Sequence, residues 1–196
     1  MSLYFVFDVE TTGLPNKRDA PYSDLEAYDS CRIVSIAWQV LNPHLEVIHT
    51  FYSVIRPEGF LIPEASTRIH KISHDDAIQY GIPFESMVSI LELHLKECGT
   101  LICHNVAFDV PTLMSELFRR NHARAMELVG SKHTFCTMQR GPRKPNGAWM
   151  SLERMYDSVV GNMENGNKNK NKKSFHHALV DVECCRDIYQ ALTDNE

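Results

Sequence analysis

The chain has 196 residues, 43% of them apolar, enough to build one substantial buried core. Its 20 Lys and Arg against 25 Asp and Glu leave a net charge of −5, which excludes a generally basic nucleic-acid coat. No apolar run approaches the roughly 20 residues that a membrane-spanning helix needs, so no membrane partner is expected.

Met1 to Val9 lacks the basic start of a signal peptide and reads as a strand, so a cytoplasmic or nuclear location is expected. Leu3 to Asp8 is nearly all apolar and β-prone, as in a central strand covered on both faces. Asn16 to Arg32 is polar, carries Pro21 and several acids, and reads as a long excursion. Ile33 to Leu41 and Glu46 to Ile55 predict two further strands, joined by a turn at Asn42-Pro43. Pro63 to Tyr80 predicts short helices and loops.

Phe84, Met87, Val88, Leu91, Leu95 and Cys98 recur at helical spacing, with Gly99 as the stop. Leu101 to Cys103 predicts a short strand ending at His104. Val110, Leu113, Met114, Leu117 and Phe118 form an amphipathic stripe that predicts a helix, with Pro111 expected in its first turn. Ser151 to Val160 predicts a helix stopped by Gly161. Residues 162–173 are low-complexity Asn, Lys and Gly and read as a mobile loop. Leu179, Val182, Cys185, Tyr189 and Leu192 mark a last helix. Three early strands followed by alternating helix and strand predict an α/β layer fold with a mixed sheet, one domain over residues 1–196.

Six cysteines without a CxxC pair read as reduced core thiols. Charge is uneven: from Arg119 to Lys144 there are seven basic residues and one acid, Glu127. From Asn165 to Val180 there are four lysines and no acid. Such stretches are either solvated faces or local fields that steer a phosphate backbone.

Three segments carry chemistry. In Phe7-Asp8-Val9-Glu10-Thr11-Thr12-Gly13 the alternation of a strand sends Asp8 and Glu10 to one face, about 6–7 Å apart, at the strand's carboxyl end. Ligand sites of α/β sheets gather there. A turn-side pair exposed to water is the bland alternative. His104-Asn105-Val106-Ala107-Phe108-Asp109 places a carboxylate where a strand gives way to a helix, where it could equally serve as a cap. His176-His177-Ala178-Leu179-Val180-Asp181 opens the last helix, and Asp181 falls between core positions Leu179 and Val182, where an unpaired carboxylate is costly. At 4 Å, like charges repel by about 4 kcal/mol even at an effective dielectric of 20. Converging acids therefore need protons or cations. Oxygen donors suit Mg²⁺ or Mn²⁺, and no Cys/His set suggests zinc.

FDVETTG, HNVAFD and HHALVD, in that order, resemble the three exonuclease motifs of the DEDD exonuclease superfamily, histidine subclass. Proofreading epsilon subunits of bacterial DNA polymerase III, RNase T and TREX-like nucleases belong to it. Ile62 to Ser73 resembles the segment after that family's third strand, and Thr134 to Thr137 the strand before its penultimate helix. The resemblance runs from about Tyr4 to Ala191 and implies an RNase H-like fold, a mixed five-stranded sheet flanked by helices.

It also implies two-metal hydrolysis of phosphodiesters from single-stranded 3′ ends of DNA or RNA, releasing 5′-mononucleotides. By motif position Asp8 holds both ions, Glu10 and Asp181 the nucleophile-side ion, and Asp109 the other. His176 is the implied general base. Thr11, Thr12 and the backbone around them would seat the terminal 3′-hydroxyl. Leu14 and Phe108 would pack on the last bases, with His104 and Asn105 lining the site.

On an ideal helix His177 and Asp181 lie about 40° apart, whereas His176 lies about 140° away. The choice of His176 therefore requires that it precede the helix. The long excursion at 16–32 and the Asn/Lys loop depart from a minimal member. A proofreading role would call for a polymerase or another replication or repair protein as partner. Two other readings stand beside this one: a non-catalytic nucleic-acid-binding module, and an RNase H-like endonuclease.

Overall fold

The structure is a computed structural model and describes residues 2–161 and 175–194; the expected Asn/Lys loop at 162–173 lies outside the described residues. Within them, β1 (Leu3–Thr11), β2 (Ile33–Leu41), β3 (Val47–Val54), β4 (Cys98–Cys103) and β5 (His133–Cys136) form one sheet in the order β3-β2-β1-β4-β5. Strand β2 pairs antiparallel with both β1 and β3, while β4 pairs parallel with β1 and β5 parallel with β4. This is the mixed five-stranded, helix-flanked arrangement of the RNase H-like fold.

Helices α1 (Glu64–His70), α2 (His74–Tyr80), α3 (Phe84–Leu95), α4 (Val106–Arg119), α5 (Ala123–Gly130), α6 (Thr137–Arg140), α7 (Leu152–Val159) and α8 (Ala178–Thr193) complete the described residues. None is long and apolar enough to cross a membrane.

The alternation of β1 divides the core. Phe5, Phe7 and Val9 face Ile36, Trp38 and Val40 of β2 and bury against Met87, Leu91 and Leu95 of α3, Leu113 and Leu117 of α4, and Val129 of α5. The Trp38 ring stacks on Phe51 at 4.0 Å and on Phe5 at 5.6 Å. On the opposite face Val6, Ala37, Leu41 and Ile102 pack under Ala178, Val182, Cys185 and Tyr189 of α8. Each large side chain so buried contributes about 1.5–3 kcal/mol, which holds α4 and α8 against opposite faces of β1.

A crevice follows from the pairing. Contacts between β1 and β4 end at Val6 and Ile102, while β1 continues beside β2 as far as Thr11. The last residues of β1 thus have a strand on one side only. From β1 the chain goes on to β2 on one side, and from β4 to β5 on the other, a topological switch point of the kind that forms ligand sites.

Two expected boundaries are corrected, and one helix was not expected. Helix α4 begins at Val106, capped by the Asn105 carbonyl, which accepts from the N–H groups of Phe108 and Asp109 at 2.7 and 3.3 Å. Pro111 is therefore its sixth residue and not in the first turn. The carbonyl it leaves unpaired belongs to Ala107, which is exposed to water, and this limits the usual interior-proline penalty. Helix α3 stops at Leu95, and Cys98 and Gly99 belong to β4; Cys98 matched the helical spacing because its strand side chain enters the same core. Helix α5 arises inside the basic stretch, where Ala125 and Val129 are its buried residues.

Candidate active site

Asp8 and Glu10 leave β1 on the α8 face, and a register shift between Glu10 and Thr11 bends the strand end beside them. Asp181 meets them from the first turn of α8. Asp109 comes from α4 on the other face, round the free edge of β1, and its buried carboxylate accepts from the Val9 N–H. Burial, then Asp109, Asp181 and Glu10, push the Asp8 carboxyl well above the usual carboxylate range. Burial, then Asp181, raises Glu10 to about 8. Burial raises Asp109 against the backbone N–H groups that favour its charge, and raises Asp181 to about 6 against His176. Among the described residues no lysine or arginine figures among the groups acting on these four acids.

One ligand atom from each of Glu10, His176 and Asp181 lies within 4.8 Å of the others. Asp181 accepts from the His176 N–H through Oδ2 at 3.1 Å, while its Oδ1 is buried with no hydrogen-bond partner. A buried carboxylate oxygen left open beside other acids fits a hard divalent cation. The cysteines are buried thiols, and burial raises Cys103 and Cys185 well above their usual range, so they offer no thiolate set for zinc.

The two histidines part company. His177 is the extended N-cap of α8, and its ring stacks on Tyr52 at 4.5 Å. His176 precedes the helix in a left-handed conformation, φ 66°, which turns its exposed side chain toward Glu10 and Asp181. The helical angle that favoured His177 does not apply to it.

The turn after β1 is tied to the excursion. Thr11 donates its hydroxyl to the Gly13 carbonyl, and Thr12 donates to Ser30 O while accepting from the Arg32 N–H, at 2.8, 2.8 and 2.9 Å. A Cβ at Gly13 would stand 3.0 Å from the Ser30 carbonyl oxygen, so glycine lets the two segments approach without a shift of a few tenths of an ångström. Leu14 is 73% exposed. With Asn105, Phe108 and Pro111 it lines a cavity of about 610 Å³, to which the excursion contributes Lys17, Arg18 and Tyr28. His104 plays a different part from its neighbours. Its Nε2–H donates to Met150 O at 3.2 Å and its Nδ1 lies 2.9 Å from the Thr137 hydroxyl, so both nitrogens are engaged in holding the protein together. Burial lowers its pKa, consistent with this neutral form.

A family model described as RNase T exonuclease matches residues 5–189. The chain belongs to that exonuclease family. It is a member of the DEDD-type exonuclease superfamily, a family of divalent-metal-dependent nucleases. A search of curated proteins gives no match.

Solved structures of exonuclease I share its fold. The product-bound form aligns at TM-score 0.68 and 14% identity, over 99% of this chain and 44% of that one. The enzyme from the moderately thermophilic Methylocaldum szegediense gives 0.70 and 15%, over 100% and 41%. The zinc-bound Escherichia coli enzyme with single-stranded DNA gives 0.71 and 15%, over 100% and 41%. The chain thus spans less than half the length of these structures.

Tyr52 and His70 join the site from elements whose sequence shows no sign of it. Tyr52, on β3, stacks on His177, and burial and then Glu10 raise its phenol. His70, on α1, is 4% exposed, with Nε2 unpartnered; burial and then His176 lower its pKa. Only folding brings them here.

Proposed function

We propose that residues 1–196 form one 3′→5′ exonuclease domain of the histidine subclass, acting on single-stranded 3′ ends of DNA or RNA. One observation carries this reading: acids from three distant segments converge at the free end of β1, with His176 beside Glu10 and Asp181. Asp8 would hold two Mg²⁺ or Mn²⁺ ions, one together with Glu10 and Asp181 and the other together with Asp109. When bound, the ions supply a water acidic enough to ionise near neutral pH and charge that stabilises the departing 3′-oxygen. His176 accepts the proton of the attacking water as its oxygen bonds to phosphorus, and the bond from phosphorus to the 3′-oxygen breaks. A 5′-mononucleotide leaves.

The turn shaped by Thr11 and Thr12 seats the terminal hydroxyl, and Leu14 and Phe108 hold the last bases, with Asn105 beside them and His104 behind. Structures of Escherichia coli exonuclease I with dA16 and dT13 support a single-stranded substrate for this fold. The test uses matched DNA and RNA oligomers in Mn²⁺, blocked at either end. A 5′-blocked strand is shortened stepwise to mononucleotides and a 3′-blocked strand resists. Cutting of a circular single strand would refute end-trimming and favour an endonuclease.

A further inference from the structure

The basic stretch from Arg119 to Lys144 divides in two in the folded protein. Arg119 pairs with Asp29, Arg120 with Glu58 and Glu85, and Arg124 with Glu92, so the first part is neutralised. Lys132, Arg140, Arg143 and Lys144 form no ion pair with an acid among the described residues, and no Asp or Glu occurs between Glu127 and Glu153. In a chain of net charge −5 this is a local positive field against which no acid among the described residues is paired.

The segment at 141–150 is built, not slack. Gly147 N–H donates to Lys144 O, Lys144 N–H to Ala148 O, and Ala148 N–H to Asn146 Oδ1, at 2.8, 2.9 and 3.2 Å. The Arg143 guanidinium lies 3.7 Å from the centre of the Trp149 ring, and that ring is 37% exposed. The next residue, Met150, accepts from His104, which directly follows β4 at the mouth of the crevice. The segment then enters α7, which packs on α8, the helix that bears Asp181.

An exposed indole under a guanidinium, with further cations and no acids, is the chemistry that binds a single-stranded polynucleotide: bases stack on the rings and phosphates meet the charges. We propose that Arg143, Lys144 and Trp149 form a platform for the strand 5′ of the cleaved nucleotide. This rests on the exonuclease reading above. The platform lends affinity that grows with strand length, and it reads no sequence because every base offers a stacking face.

The experiment separates this from turnover. In EDTA, dT20 and rU20 are titrated into the full chain while tryptophan emission is followed; of the two tryptophans, Trp38 is fully buried, so Trp149 reports. Both oligomers quench it, and Trp149→Ala binds roughly 5–150-fold more weakly by filter retention, the range for losing one stacked base. Arg143→Ala with Lys144→Ala flattens the salt dependence of log Kd by about 1.4, at about 0.7 per phosphate contact on a single strand. In Mn²⁺ the wild-type KM falls between 2 and 20 nucleotides (roughly the span over which a platform could be reached), and the double variant loses that fall.

Wild-type protein that trims oligomers without any change in Trp149 emission would overturn the platform and leave the exonuclease reading standing. So would an unchanged salt slope in a folded double variant. Quenching by polyglutamate but not by dT20 would overturn it in favour of an acidic protein partner.

Discussion

Removing divalent metal should make the fold lose stability as pH rises, and the site geometry sets the size of the loss. Glu10 carries an ordinary value of 4.5 raised to about 8 by burial and by Asp181. Between those limits the unfolded chain has released the proton and the folded chain keeps it. The folded state therefore binds more protons, and stability falls as pH climbs through this window. It is fully present below the unfolded value.

Retaining one proton from 4.5 to about 8 corresponds to about 5 kcal/mol; the part above pH 5, reduced by solvent at this half-buried group, is about 2–4 kcal/mol. Asp181, raised to about 6 in part of the same window, shares the repulsion and is not added. For a chain of this size each kcal/mol moves the melting temperature by about 2–4 °C, so the drop between pH 5 and pH 9 is roughly 4–16 °C.

Circular dichroism melts in EDTA at pH 5, 7 and 9 measure it, with Glu10→Gln as the reference that cannot titrate. Millimolar Mn²⁺ should abolish most of the drop, because a cation bound to the native site favours the ionised acids. If wild type and Glu10→Gln run parallel in EDTA across this range, the carboxylates are not held together as described.

Two pairs of substitutions test the remaining geometry. His176→Ala should lower turnover about 10²–10⁴-fold while leaving Mn²⁺ affinity by calorimetry nearly unchanged, whereas His177→Ala should alter the rate only slightly. The reverse result would mean that the His177 ring leaves its stack on Tyr52 to reach the acids. Glu116→Leu should destabilise by about 3–5 kcal/mol in urea unfolding, because it strands Arg32, whose guanidinium is buried against Glu116 and over the Phe60 ring. Adding Arg32→Met should recover most of that loss; no recovery would show that the pair does more than satisfy its own charges.

Sequence alone located the first four strands and put Asp8 and Glu10 on one face, because side-chain periodicity is a local property of the backbone, whereas β5 was marked only by the resemblance at Thr134 to Thr137. β2 lies where the apolar run at Ile33 to Leu41 predicted it, and the alternation about Asp8 and Glu10 placed both on one face. The ordered motifs likewise determined the family and the acids that meet. Element ends were less legible, since the Val106 start of α4 and the Leu95 end of α3 are set by a carbonyl cap and by strand pairing.

Only the tertiary structure decided how charges are spent. Seven basic residues in one stretch look alike in sequence, yet Asp29, Glu58, Glu85 and Glu92 reach the first three, and among the described residues no acid pairs with Arg143 or Lys144. Tyr52 and His70 reach the site only across the sheet and from α1, and His104, which looks like a site residue by position, has both nitrogens engaged by Thr137 and Met150. Electrostatic and hydrogen-bond partners are chosen by proximity in space, and residues far apart in sequence carry no local mark of it.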